Sequence, residues 1–183
     1  MLTFSDEFNT LSLYNPATGA AGTWNPLLRG FNPEGSSNIW GHEVQFNINP
    51  YFDYNRNGID DTPSPFSVVD GVLTITAQPM DTGFKADVYR TITEGYWPAA
   101  SRMNYDYSSG FLSTANSFSQ TYGHFEMHAQ LAPGAGIWSA FWLLPQDGTW
   151  PPELDVVELL GREPTTSYHS VHSSDGPHGH SMA

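Results

Sequence analysis

Cysteine is absent from the 183 residues, and lysine and arginine together number only six. Without cysteine there is no disulfide, no thiolate metal site and no cysteine nucleophile. Six cations against 19 acids, a formal charge of −13, exclude a phosphate-backbone binder, which needs a positive footprint. No apolar run approaches the roughly 18–20 residues that cross a bilayer. The opening Met1-Leu2-Thr3-Phe4-Ser5-Asp6-Glu7-Phe8 has neither a basic segment nor an apolar stretch, so no signal peptide is read there. Helical patterning is scarce too: 17 Gly and 14 Pro interrupt the chain, and no apolar stripe is read over three turns. The expectation is one soluble, acidic, monomeric domain over residues 1–183 whose partner is neither nucleic acid nor membrane.

Strand signals fill the gap. Residues 71–77 form a branched run entered through Val69-Asp70-Gly71, a turn-like lead. Residues 122–131 alternate large apolar and polar side chains, as a half-buried strand does. Residues 137–144 are nearly all apolar and read as a strand buried on both faces, and residues 153–160 read as another, closed by Gly161. Short strands between Gly, Pro, Asn and Ser turns predict an all-β fold, an antiparallel β-sandwich of jelly-roll type. Residues 15–38 and 81–107 read as long loops, the second holding Tyr89, Tyr96, Trp97, Tyr105 and Tyr107.

The segment that carries chemistry is Glu153-Leu154-Asp155-Val156-Val157-Glu158. On a regular strand Glu153 and Asp155 share one face, while Glu158, five positions from Glu153, points to the other. One β-bulge between Asp155 and Glu158 restores the phase and sets all three acids on one face. Crowded carboxylates repel, so at least one is expected to keep its proton near neutrality. An ionised carboxylate beside a protonated one is what a retaining glycosidase needs. A solvated acidic strand is the plainer reading of the same spacing. Against it stand the absence of any cation between Arg102 and Arg162 and the nearby Trp138, Trp142 and Trp150, suited to stacking on sugar rings.

Several segments together resemble glycoside hydrolase family 16: Phe4-Ser5-Asp6-Glu7-Phe8, residues 71–77, 107–114, Tyr122-Gly123-His124-Phe125-Glu126, Gly136 to Pro145, and Trp150 to Gly161. The resemblance implies a jelly roll with a long cleft and endo-hydrolysis of β-glycans with retention of configuration. It makes Glu153 similar to the nucleophile, Asp155 to the assisting acid and Glu158 to the general acid/base. The ExDxxE spacing is similar to that of laminarinase-like β-1,3-glucanases, agarases, carrageenases and some bacterial exopolysaccharide depolymerases. Scarce cations disfavour a sulfated galactan, so a neutral β-1,3- or β-1,3-1,4-glucan is the expected polysaccharide substrate, with an acidic exopolysaccharide as the alternative. By family position Trp138, Trp142 and Trp150 are cleft aromatics, although Trp142 in Phe141-Trp142-Leu143-Leu144 also reads as core. His172 resembles a histidine beside the catalytic strand, with His169 as the alternative match. No carboxylate spacing supports a metal site with His178 and His180. A non-catalytic glycan-binding jelly roll remains the competing reading, and the intact carboxylate triplet separates the two. An acidic structural domain accounts for the charge but not for the Trp and carboxylate pattern.

Catalysis on these terms needs no cofactor. A structural calcium is suggested elsewhere, where Asp53, Asn55, Asn57 and Asp61 with Gly58 resemble the DxDxDGxxD loop and Ile59 would offer its carbonyl. The usual terminal Glu is replaced by Ser64, so an ion-free polar turn is the alternative. The family pattern continues with further strands beyond the catalytic one, so the chain is expected to be truncated relative to it. Its substrate class implies an extracellular setting.

Overall fold

In the computed structural model the chain forms two compact units, residues 1–119 and 120–183. The structure describes residues 1–27, 43–94 and 105–174, together with the backbone of Gly35–Ser36.

In the first unit, β1 (Gly35–Ser36), β2 (Gln45–Ile48), β6 (Tyr107–Ser109) and β5 (Gln78–Pro79) form one sheet in the order β1-β2-β6-β5. The β2–β6 pair is parallel and the other two are antiparallel. β3 (Phe66–Val69) and β4 (Val72–Ile75) make a separate hairpin with Val69 opposite Val72. Its two-residue turn is Asp70-Gly71, with φ of 51° and 74°, the left-handed pair that a tight hairpin with right-twisted strands requires. The turn-like entry read at Val69-Asp70-Gly71 is thus a hairpin turn, and the strand following it ends at Ile75.

Residues 81–107, read as a loop, contain a 13-residue helix, α1 (Thr82–Glu94). Asp81 caps it: its Oδ1 accepts the backbone N–H groups of Gly83 and Phe84 at 2.9 and 3.0 Å. Phe84, Val88 and Ile92 recur at four-residue spacing along one face. Val88 and Ile92 are buried with Phe46, Ile48, Tyr54 and Tyr105, and Phe84 and Tyr89 pack against that core. Two side chains fix the helix further: Arg90 Nη2 donates to the Tyr54 carbonyl at 2.7 Å, and Tyr89 Oη accepts the Tyr105 N–H at 2.6 Å. The helix forms because tertiary burial of a narrow stripe outweighs a weak intrinsic pattern. Tyr96 and Trp97 lie outside the described residues, as does most of residues 28–42.

The second unit holds one antiparallel sheet, β7 (Trp138–Leu143), β8 (Glu153–Leu160) and β9 (Tyr168–His172), in the order β7-β8-β9. β8 has the bounds read from the sequence. Gly161 ends it in close quarters: its N–H donates to the Ile137 carbonyl at 2.8 Å, and its own carbonyl accepts from Gly134 at 2.8 Å. A Cβ at Gly161 would stand 2.4 Å from the Gly134 carbonyl oxygen, so a side chain has no room.

Two strand expectations need correction. Residues 137–144 are not buried on both faces: β7 leaves Trp138 62% exposed, and Leu144 beyond it is 40% exposed. The exposed residues Trp138 and Ala140 share the β7 face that lies beside Glu158 of β8. Residues 122–131 carry the expected alternation but form no ladder among the described residues, and Tyr122 is fully presented at 90% exposure. Alternation marks which side chains suit a sheet, while a strand also needs a neighbour for its backbone groups. Among the described residues, regular structure apart from α1 is β, and the strand pairs are antiparallel except for β2–β6, the all-β class expected. No helix among the described residues is long and apolar enough to cross a membrane.

Candidate active site

Register decides which side chains meet on the β7-β8-β9 sheet. Directly opposed residues of antiparallel strands share a face. Asp155 lies opposite Trp142 on β7 and Ser170 on β9, while Glu158 lies opposite Ala140 and Tyr168. Glu153 lies opposite His172. One face therefore carries Glu153, Asp155 and Glu158 along its centre, Trp138, Ala140 and Trp142 on one side, and Tyr168, Ser170 and His172 on the other. The register slips between Asp155 and Glu158 in the β9 ladder and between Phe141 and Trp142 in the β7 ladder. That is the bulge expected from the spacing of the acids, and Val156 is the residue paired in neither ladder. The reverse face carries Leu154, Val157 and Leu159, with Leu154 and Val171 both substantially exposed.

Each outer glutamate is held by a tryptophan. Trp150 Nε1 donates to Glu153 Oε2 at 2.9 Å, and Trp138 Nε1 donates to Glu158 Oε1 at 2.9 Å. Asp155, buried between them, hydrogen-bonds through Oδ2 with His172 Nε2 at 3.0 Å. The same ring nitrogen lies 3.6 Å from Glu153 Oε1, and the His172 ring tilts against Trp150 with centroids 6.0 Å apart. Both glutamates hold their protons more tightly than an ordinary carboxyl. For Glu153, partial burial is the main cause, with the negative charge of Asp155 adding to it and the Trp150 N–H and His172 opposing it. For Glu158 burial again leads, Asp155 adds, and Trp138 and His172 oppose. Two acids of raised proton affinity flanking a buried third, with aromatic rings at both ends, form a cluster capable of acid/base chemistry.

Residues 61–181 match the family model described as glycosyl hydrolases family 16. The chain belongs to glycosyl hydrolase family 16. It is 44% identical over 173 residues to an endo-1,3-1,4-beta-glycanase, EglC, of Rhizobium meliloti, covering 94% of this chain and 32% of that protein. It is 43% identical, with the same coverage, to a second endo-1,3-1,4-beta-glycanase of that organism, ExsH. A glucan endo-1,3-beta-glucosidase, A1, of Niallia circulans is 34% identical over 110 residues, covering 57% of this chain and 14% of that protein. The chain thus spans about a third of the length of the first two relatives. No solved structure matched it. Family 16 membership agrees with the antiparallel jelly-roll class expected from the strand pattern.

Within this family 16 chain, the residues singled out from sequence fall into four groups. Glu153, Asp155, Glu158, Trp138, Trp142, Trp150 and His172 come together at one sheet face. Trp138 and Trp150 are more than half exposed, at 62% and 56%, whereas Trp142 is half-buried opposite Asp155. His169, the alternative to His172, alternates away from that face and points to its reverse. His178 and His180 lie outside the described residues. What sequence reasoning missed is the second use of Trp138 and Trp150, as indole N–H donors to the glutamates. The available signal was that an indole can only donate, next to a cluster of groups that accept.

The Asp53–Asp61 loop belongs to the other unit and is closed by its own hydrogen bonds. Asp53 Oδ1 and Oδ2 accept from the backbone N–H groups of Asn57 and Gly58 at 3.2 and 2.8 Å. The Asn55 and Asn57 amides donate to Asp61 at 3.1 and 2.9 Å, and the Ile59 carbonyl accepts the Asp61 N–H at 3.0 Å. Gly58 takes φ of 75°, as the loop pattern demands. Ser64, at the place of the missing Glu, bonds to the backbone of Phe66 instead. The Asn55 and Asn57 side-chain oxygens accept the backbone N–H groups of Asn57 and Ile59 at 3.1 and 2.7 Å, so the two amides turn their nitrogens, not their oxygens, toward Asp61.

Proposed function

We propose that the chain carries the catalytic centre of an endo-acting β-glucan hydrolase that works with retention of configuration. The observation that carries this reading is the bulge in β8, which sets Glu153, Asp155 and Glu158 on one face, with burial raising the proton affinity of Glu158. In the first step a Glu153 oxygen attacks the anomeric carbon while Glu158 gives its proton to the glycosidic oxygen. The glycosidic bond breaks, and a glycosyl ester of Glu153 forms. In the second step Glu158, now ionised, takes a proton from water, and that water attacks the anomeric carbon and frees Glu153. Trp150 occupies Glu153 Oε2, which directs the Oε1 lone pairs to the attack. Burial, and after it the charge of Asp155 held by His172, raises the proton affinity of Glu158 and suits it to the acid role.

The substrate class follows from charge and from the relatives. Arg56, Lys85, Arg90 and Arg162, the cations among the described residues, are each paired with a carboxylate of this chain. Of these only Arg162 belongs to the unit that holds the carboxylate face, and it is paired with Glu163, so a neutral β-glucan suits the site better than a sulfated polymer. Two relatives are named endo-1,3-1,4-beta-glycanases, which favours mixed-linkage or β-1,3-glucan. The test is release of reducing ends from mixed-linkage β-glucan and from laminarin by the protein that carries this chain. Wild type is expected to release them and Glu153→Gln to lose at least about 10³-fold of the rate, as removal of a nucleophile does. Undiminished release by Glu153→Gln overturns the assignment.

We also propose a structural calcium at Asp53, Asn55, Asn57, Ile59 and Asp61, supported by the match to the DxDxDGxxD spacing and the left-handed Gly58; its binding requires the Asn55 and Asn57 amides to turn over and present oxygen. Calcium is expected to raise the melting temperature and Asp53→Ala to abolish that rise. An unchanged melting curve on chelation overturns it.

A further inference from the structure

We propose that His169 is a positioning residue that clamps the active-site bulge from the reverse face of the sheet. The inference rests on the hydrolase reading for its effect on turnover, but the clamp itself is a matter of geometry. Val156 is the extra residue of the bulge, opposite no partner in either ladder, so its backbone carbonyl lies where the regular register is interrupted. His169 Nδ1 lies 2.6 Å from that carbonyl oxygen. A carbonyl only accepts, so Nδ1 carries the hydrogen, and Nε2 is left to accept from the Ser167 hydroxyl at 3.1 Å. β9 alternates regularly, with Tyr168, Ser170 and His172 opposite Glu158, Asp155 and Glu153, so His169 stands on the face away from the carboxylates.

The consequence for the site is direct. Glu158 shares a face with Glu153 and Asp155 only while the extra residue stays at Val156. Removing the bulge shifts the strand by one position and turns Glu158 to the reverse face. A side chain that satisfies the bulged carbonyl favours the bulged register over the regular one. Ser167-His169-Val156 is therefore a brace for the acid/base, built from residues that never face the substrate. Protonation does not open it, because Nδ1 bears a hydrogen in both the neutral form described and the cation.

The test has a structural and a kinetic arm. Long-range 1H–15N spectra of the histidine-labelled chain are expected to show His169 as the Nδ1–H tautomer. In the protein that carries this chain, His169→Ala is expected to lower kcat by about 10- to 100-fold, as a misplacement on the order of 1 Å does, with KM changed less than about twofold. His169→Asn places an amide N–H where Nδ1 stands and is expected to recover kcat to within about threefold of wild type. An Nε2–H tautomer, a wild-type kcat in His169→Ala, or no recovery in His169→Asn each overturns the clamp. A wild-type protein that cleaves no glucan defeats the hydrolase reading alone, and the tautomer then decides the clamp by itself.

Discussion

Trp138 Nε1 donates to Glu158 Oε1 at 2.9 Å, and that bond pulls against the burial that raises the proton affinity of Glu158. An indole N–H can only donate, so it favours the ionised carboxylate. Trp138→Phe keeps an aromatic ring for stacking and removes the N–H. Glu158 is then expected to hold its proton to still higher pH, moving the alkaline limb of the kcat/KM profile upward. The pH–rate profile of wild type and variant checks this. A raised KM with an unmoved limb would mean that Trp138 only stacks.

The raised proton affinities also make a statement about stability. Below the ordinary carboxyl value of 4.5, Glu158 is protonated in both the folded and unfolded chain and contributes nothing. As pH rises through its folded-state value, the unfolded chain has already ionised and the native state loses stability relative to it. Glu158→Gln is therefore expected to melt above wild type at pH 7, with the difference closing toward pH 4. Thermal melts at the two pH values check the sign. A wild type that melts higher at pH 7 would mean that ionised Glu158 is a net stabiliser.

Gly161 and Gly134 meet where β8 ends. Because an added Cβ at Gly161 would stand 2.4 Å from a backbone oxygen and 2.9 Å from Ile137 Cβ, neither neighbour can yield cheaply. Gly161→Ala is expected to destabilise the chain by about 1–3 kcal/mol. Urea denaturation with an unchanged m-value is the measurement, since a changed slope would signal loss of two-state unfolding instead.

These expectations depend on features that differ in how far the sequence discloses them. The bounds of β8 and its bulge were legible, because three acids in an apolar run admit one face only if a residue is inserted, and Gly161 marks the end. The Asp70-Gly71 turn was legible for a similar local reason. Helix α1 was not, since Gly83 and the charged residues around Phe84, Val88 and Ile92 hide a stripe that only the tertiary core makes sufficient. The gathering of Trp138, Trp150 and His172 followed from the family resemblance, but their bonds to particular carboxylate oxygens did not. Those bonds, and the role of His169, depend on ladder register, which a single strand does not disclose.

The central claim is that Glu153 and Glu158 act as nucleophile and acid/base across one face of β8. The most direct measurement is the anomeric configuration of the first product, followed by 1H NMR during hydrolysis of mixed-linkage β-glucan by the protein carrying this chain. Double displacement predicts that the β-anomer appears first and only later mutarotates. Initial release of the α-anomer would mean a single displacement by water and would contradict the covalent role of Glu153.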